Sequence, residues 1–106
     1  MNKWTLLYTF NNSGLSEHSI SLPVCDELLI EMSFVVNTVN RHFTIVIPFE
    51  MLSNVKEAYY LGGGYSSTSY NSYTSVSMSK TTIAISGASL NGGEYNSTAT
   101  LRLYAR

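Results

Sequence analysis

Four side chains in this 106-residue chain are candidates for nucleophilic or metal chemistry: His18, Cys25, Asp26 and His42. A thiol–imidazole pair needs the two groups within hydrogen-bond reach and a third group to orient the base. His18 and Cys25 flank an expected strand end and a Pro-containing turn, so contact is open to them. No cysteine-enzyme signature surrounds Cys25. A zinc site wants three or four ligands at recognisable spacing, which these residues do not supply. The alternative is a buried thiol and two half-exposed strand histidines. Paired carboxylates could serve glycoside hydrolysis. The acids are Glu17, Asp26, Glu27, Glu31, Glu50, Glu57 and Glu94. Glu31 stands out because Leu29 and Ser33 share its expected strand face; the plain alternative is a surface acid on a solvated face. The expectation is a protein that is not an enzyme, with no catalytic residue, no metal and no cofactor assigned.

Binding is the better prospect. The segment 59–75 reads YYLGGGYSSTSYNSYTS. Tyrosine offers a flat apolar face and a hydroxyl at low entropic cost, and serine and glycine let a segment adapt, a composition shared with immune binding loops. Tyr59, Tyr60, Tyr65, Tyr70 and Tyr73 could stack on sugar rings, with Asn71 and the serines supplying hydrogen bonds. The structural alternative has the same tyrosines packing on a neighbouring subunit or covering a sheet edge. Gly62-Gly63-Gly64 is not a phosphate loop, since no Lys-Ser/Thr follows it; a loop or sharp bend is expected there. Asn11-Asn12-Ser13 and Asn96-Ser97-Thr98 match the glycosylation acceptor pattern, as chance allows in so Asn/Ser/Thr-rich a chain.

Composition narrows the classes further. Charged residues are 12% of the chain, and the net charge is −1. An average soluble domain carries about 25% charged residues. Serine, threonine and asparagine number 16, 10 and 9 and replace that charge. No basic excess exists to neutralise phosphates, which argues against nucleic-acid binding. No apolar run is long enough for a membrane span, and the first 15 residues lack a charged-then-apolar signal pattern. One cysteine allows no internal disulfide. An uncharged polar skin suits a protein packed into an assembly, because few charges need desolvating when such surfaces meet, or one facing hydroxyl-rich sugars; the plain alternative is a neutral monomer made soluble by serine and asparagine.

The elements that would position these residues are strands. Lys3 to Phe10 alternates, with Trp4, Leu6, Tyr8 and Phe10 on one face. Asn11 to Gly14 is a turn cluster. Ser16 to Leu22 alternates with His18, Ile20 and Leu22 together, and Pro23 ends the run. Glu27 to Asn37 puts Leu28, Ile30, Met32, Phe34 and Val36 on one face; its first half would also allow a helix, and the β-branched and aromatic Phe34-Val35-Val36 favours a strand. Asn37 to Asn40 is read as a hairpin turn, and Arg41 to Ile47 pairs back with Phe43, Ile45 and Ile47 inward. Pro48 to Ala58 shifts period and suggests one short helical turn with Pro48 at its first position. Tyr73 to Ser79 and Lys80 to Ser86 give two more strands, Asn91-Gly92-Gly93 a turn, and Thr98 to Ala105 a last strand with Ala99, Leu101, Leu103 and Ala105 inward. The expectation is a single all-β domain over 1–106. It is a β-sandwich of seven to eight short strands with jelly-roll-like or Greek-key connections, and a small barrel is the runner-up.

Several stretches taken in order carry a family resemblance: Leu22-Pro23 with Glu27-Leu28-Leu29-Ile30, Ile47-Pro48, Gly62-Gly63-Gly64-Tyr65, and the terminal Leu101-Arg102-Leu103-Tyr104-Ala105-Arg106. The chain resembles small β-domains of tail, appendage and baseplate proteins of tailed phages and prophages. It departs from their terminal pattern at Ala105, where a second aromatic would fall, and at Cys25-Asp26, where an aromatic would precede the Glu-Leu-Leu run. The resemblance implies a virion structural or host-recognition domain, located in the virion or in the host cytoplasm before assembly. It further implies a homo-oligomer, commonly a trimer, among other virion proteins, and it carries over no binding residue; a cell-surface glycan is the partner that the tyrosines of segment 59–75 could take. No nucleic acid and no membrane insertion are expected. A stand-alone carbohydrate-binding module using segment 59–75 is the alternative.

Overall fold

A residue pattern that alternates apolar and polar side chains can bury its apolar half only as strands, whose neighbouring side chains point to opposite faces. A computed structural model describes residues 3–11, 17–36, 39–66, 71–90, 93–94 and 99–106. Among them the chain forms β1 (Thr5–Asn11), β2 (His18–Ser19), β3 (Glu27–Val36), β4 (Val39–Pro48), a 3-10 turn (Phe49–Met51), β5 (Glu57–Ser66), β6 (Asn71–Met78), β7 (Thr82–Leu90), β8 (Gly93–Glu94) and β9 (Thr100–Ala105).

Two antiparallel sheets result. The first has the order β1-β9-β3-β4, so the last strand inserts between the first and the third. The second has the order β2-β7-β6-β5, with β8 sharing the β2 side of β7. Leu28, Ile30, Met32, Ile47, Leu101 and Leu103 from the first sheet join Val76, Met78, Ile83 and Ile85 from the second in one buried cluster. Fully burying each such side chain contributes about 1.5–3 kcal/mol. The protein is an all-β sandwich.

One seam between the sheets is closed by rings. Phe10 of β1 stacks on His18 of β2, with centroids 4.1 Å apart, and Tyr8 stacks on Phe10 at 5.6 Å. The Tyr8 hydroxyl accepts from the Ser21 N–H at 2.8 Å and donates to the Ser21 carbonyl at 3.3 Å. At one end of the sandwich the connections are tied to one another. The Asp26 and Glu27 N–H groups both donate to the Arg106 carbonyl, Phe49 N–H to Asp26, and Lys80 N–H to Ser53. The buried Ser79 is satisfied locally: its hydroxyl accepts from the Thr81 and Thr82 N–H groups and meets the Thr82 hydroxyl at 2.8 Å.

Local expectations need correction in five places. Pairing between β1 and β9 slips at Leu7, so Leu6 opposes Tyr104 while Tyr8 opposes Leu103. That bulge turns Leu6 to the outer face, half exposed at 51%, and leaves Leu7, Tyr8 and Phe10 on the core. Of the strand expected over 16–22, the described residues 17–22 hold only the two-residue β2, although His18, Ile20 and Leu22 do share the inward side. The β3–β4 pairing runs on to Val36 opposite Val39, so the expected turn residues Val39 and Asn40 are strand. The helical turn is three residues long, and Pro48 precedes it with an extended ψ of 132°, as the last residue of β4. Gly62-Gly63-Gly64 lies within β5 instead of in a loop, and the irregularity shows as two register shifts against β6.

Candidate functional site

Segment 59–75 is built into the β5–β6 hairpin at the edge of the second sheet. Tyr59 opposes the fully buried Val76, and its half-buried ring packs against the core. Burial first, and then the neighbouring Glu57 carboxylate, push its phenol pKa above the ordinary tyrosine value. Tyr60 opposes Ser75, Asn71 opposes Ser66, and Tyr73 sits between Gly63 on β5 and Ser89 on β7. Tyr65 falls where the pairing shifts between Gly63 and Ser66. For these four the backbone is placed by the ladder, and the side chains lie outside the described residues; Tyr70 lies wholly outside them. The candidates are therefore strung along two strands, with Tyr59 and Tyr73 at separate rungs of the ladder.

The four nucleophile or metal candidates are distributed over the fold. His18 is held by its stack on Phe10, which opposes Leu101 in the sheet, and its Nε2 is buried without a hydrogen-bond partner among the described residues. Cys25 precedes Asp26, whose N–H is bonded to Arg106. Leu101 and Arg106 are five residues apart, roughly 16 Å along a strand, so imidazole and thiol belong to different levels of the sandwich. His42 is exposed on the outer face of β4 opposite Ser33. Cys25 is half-buried; burial first, and then the Asp26 carboxylate, raise its thiol pKa above the ordinary value, which disfavours the nucleophilic thiolate. Among the described residues no three His, Cys, Asp or Glu side chains gather as a metal cluster.

Sequence reasoning did not anticipate a cleft at the end where the connections are tied. It has a volume of about 580 Å³ and is lined by Lys3, Thr5, Leu7, Pro23, Cys25, Asp26 and Arg106 among others. The cleft lies where the start of β1, the segment 23–26 and the end of β9 meet. Its charged residues are Lys3, Asp26 and Arg106, and Arg106 is already engaged: its Nε donates to Glu27 Oε1 at 2.9 Å, and its guanidinium lies 4.1 Å over the Trp4 ring.

Glu31, the carboxylate that stood out in sequence, faces a guanidinium instead of a second acid. It accepts from Arg102 Nη1 at 3.0 Å, and the two residues are direct cross-strand partners. This pair belongs to an ordered outer face on the first sheet. One rung reads Leu6, Tyr104, Leu29, Val46 across β1, β9, β3 and β4, and the next reads Thr9, Arg102, Glu31, Thr44. No sequence signal could have assembled those rungs, because they depend on the position of β9 and on the bulge at Leu7. No protein family, curated protein or solved structure matches the chain.

Proposed function

We propose that the chain is a non-enzymatic structural domain of a phage or prophage virion, from the tail or an appendage. It works as a homo-oligomer, packs against other virion proteins and contributes to recognition of the host surface. The observation that carries this reading is the make-up of the outer skin of the first sheet. Among its described side chains Arg102 is neutralised by Glu31 and Arg106 by Glu27, while Leu6 and Val46 remain 51% and 43% exposed. Such a surface offers apolar area with little uncompensated charge to desolvate, which favours contact with protein over contact with water. The family resemblance adds the virion setting and the trimer. Light scattering at micromolar concentration tests the assembly: a multiple of the 11.7 kDa chain mass is expected, and a strictly monomeric mass counts against it.

A further inference from the structure

The inference developed here rests on the reading that copies of the chain associate, and it names the surface. We propose that the outer face of the first sheet is a two-fold contact with a second copy of this chain, the two faces packed sheet on sheet.

Alternation places Leu29, Tyr104 and Val46 on the outer face, because Leu28, Leu103 and Ile47 are buried on the inner one. Leu6 joins them through its register with Tyr104. The result is an apolar rung four strands wide, Leu6-Tyr104-Leu29-Val46. A charged rung lies on each side of it. One holds Arg102 beside Glu31, with Nη1 and Oε1 3.0 Å apart; the other holds Arg106 beside Glu27, with Nε and Oε1 2.9 Å apart. In both rungs the arginine belongs to the β9 end of the chain and the glutamate to β3. The charge pattern across the face is thus two columns, positive beside negative.

That pattern selects the symmetry. A two-fold axis running across the strands would lay Arg106 on Arg102 of the second copy and Glu27 on Glu31, setting like charge on like charge. An axis running along the strands, midway between β9 and β3, lays each arginine on the matching glutamate of the second copy. The same operation sets Leu6 on Val46 and Tyr104 on Leu29. Each in-chain ion pair then becomes half of a four-membered ring of alternating charge. A C2 contact must be self-complementary, and this face meets that condition about one axis only. The pairs are about a third exposed, and since Arg106 also stacks on Trp4, the Arg102–Glu31 rung is the one more open to a facing copy. A four-stranded face of this length measures roughly 19 by 23 Å, which places the contact at the small, weak end of specific interfaces. It leaves any three-fold arrangement to another surface.

Sedimentation equilibrium on the whole chain tests the proposal, from about 1 µM to roughly 500 µM, the range in which a contact of this size operates. The wild type is expected to dimerise with a Kd on the order of tens of micromolar. The variant Leu6→Lys with Val46→Lys changes two exposed positions, so it should keep the wild-type unfolding midpoint and weaken the dimer about tenfold or more. The variant Glu31→Arg with Arg102→Glu preserves both the in-chain pair and the match to its own copy. It should dimerise as the wild type does, yet native mass spectrometry of a mixture with wild type should show mixed dimers depleted below the statistical proportion. Association that both variants leave unchanged, with free mixing, overturns this face while the assembly reading stands. A wild type that stays monomeric through the whole range overturns both.

Discussion

The two sheets of the sandwich are built on different principles. The first pins its register with large apolar side chains at every second position. The β3–β4 ladder runs unbroken from Glu27–Pro48 to Val36–Val39, and β3–β9 runs unbroken over six rungs. The second sheet is rich in serine, glycine and tyrosine, and its pairing shifts at Tyr60/Gly62, Gly63/Ser66 and Ser75/Val76. A one-residue slip in the first sheet would expose Leu28, Ile30 and Met32 together, whereas glycine and serine on β5 and β6 lose little by slipping. Burial thus holds the centre of the first sheet in register, while irregular pairing falls on its edge strand β1, at Leu6/Tyr8, and on the second sheet.

The largest effect that can break this comparison comes from matched truncations. Ile30 and Ile83 are both fully buried, one between β4 and β9 in unbroken ladders, the other between β6 and the two-residue β2. Ile30→Ala should cost about 4 kcal/mol and Ile83→Ala about 2 kcal/mol, because the cost rises where neighbours cannot collapse into the cavity. Urea unfolding of both variants measures the difference. Equal losses would show that the second sheet is as rigidly packed as the first.

A smaller effect concerns the seam where β1 meets β2. Tyr8→Phe keeps the ring on Phe10 and removes both hydrogen bonds to Ser21. A loss of about 1 kcal/mol is expected. A loss below a few tenths would mean that water satisfies Ser21 equally well and that ring stacking alone closes the seam.

How much of this was legible in the sequence follows the same division. Ala99, Leu101, Leu103 and Ala105 fall on the core face as their spacing requires, and so do Leu28, Ile30, Met32 and Ile47. Period two carries no warning of the bulge that turns Leu6 outward: Leu6 and Leu7 are equally apolar, and only pairing with β9 decides between them. Gly62-Gly63-Gly64 signals a bend locally, but its place opposite β6 is set by partners ten to twelve residues away. The candidate site fared differently. The tyrosines of segment 59–75 were identifiable as a group by composition, whereas Tyr59 going to the core depends on its register with Val76. The outer rungs of the first sheet were illegible, since they join residues from four strands.

Glycine at a strand position sharpens the comparison at the level of tenths of a kcal/mol. Gly63 opposes Tyr73 in a part of β5 flanked by two register shifts. If that pairing is loose only for want of side chains, Gly63→Val should stabilise the chain by about 0.5–1 kcal/mol. A loss larger than 1 kcal/mol in thermal or urea unfolding would instead mean that the backbone there adopts a conformation only glycine allows.

The smallest expected effect is alkaline and has one contribution from each sheet. Cys25, just ahead of β3, and Tyr59, in β5, both ionise less readily in the fold than in the open chain, Cys25 through burial and Asp26, Tyr59 through burial and Glu57. Each folded pKa is raised, so the folded state holds its proton where the unfolded state releases it. The stability they contribute is complete below the ordinary values of 9.0 for the thiol and 10.0 for the phenol, and it is lost as pH climbs from there through the folded values. Urea midpoints should stay level to about pH 8.5 on this account and then decline in two overlapping steps. Cys25→Ser should remove the earlier step and Tyr59→Phe the later one. Because both groups are partly open to solvent, each step is shallow. A decline that survives both substitutions would have to come from other groups, and midpoints that climb with pH would contradict the sign for both residues.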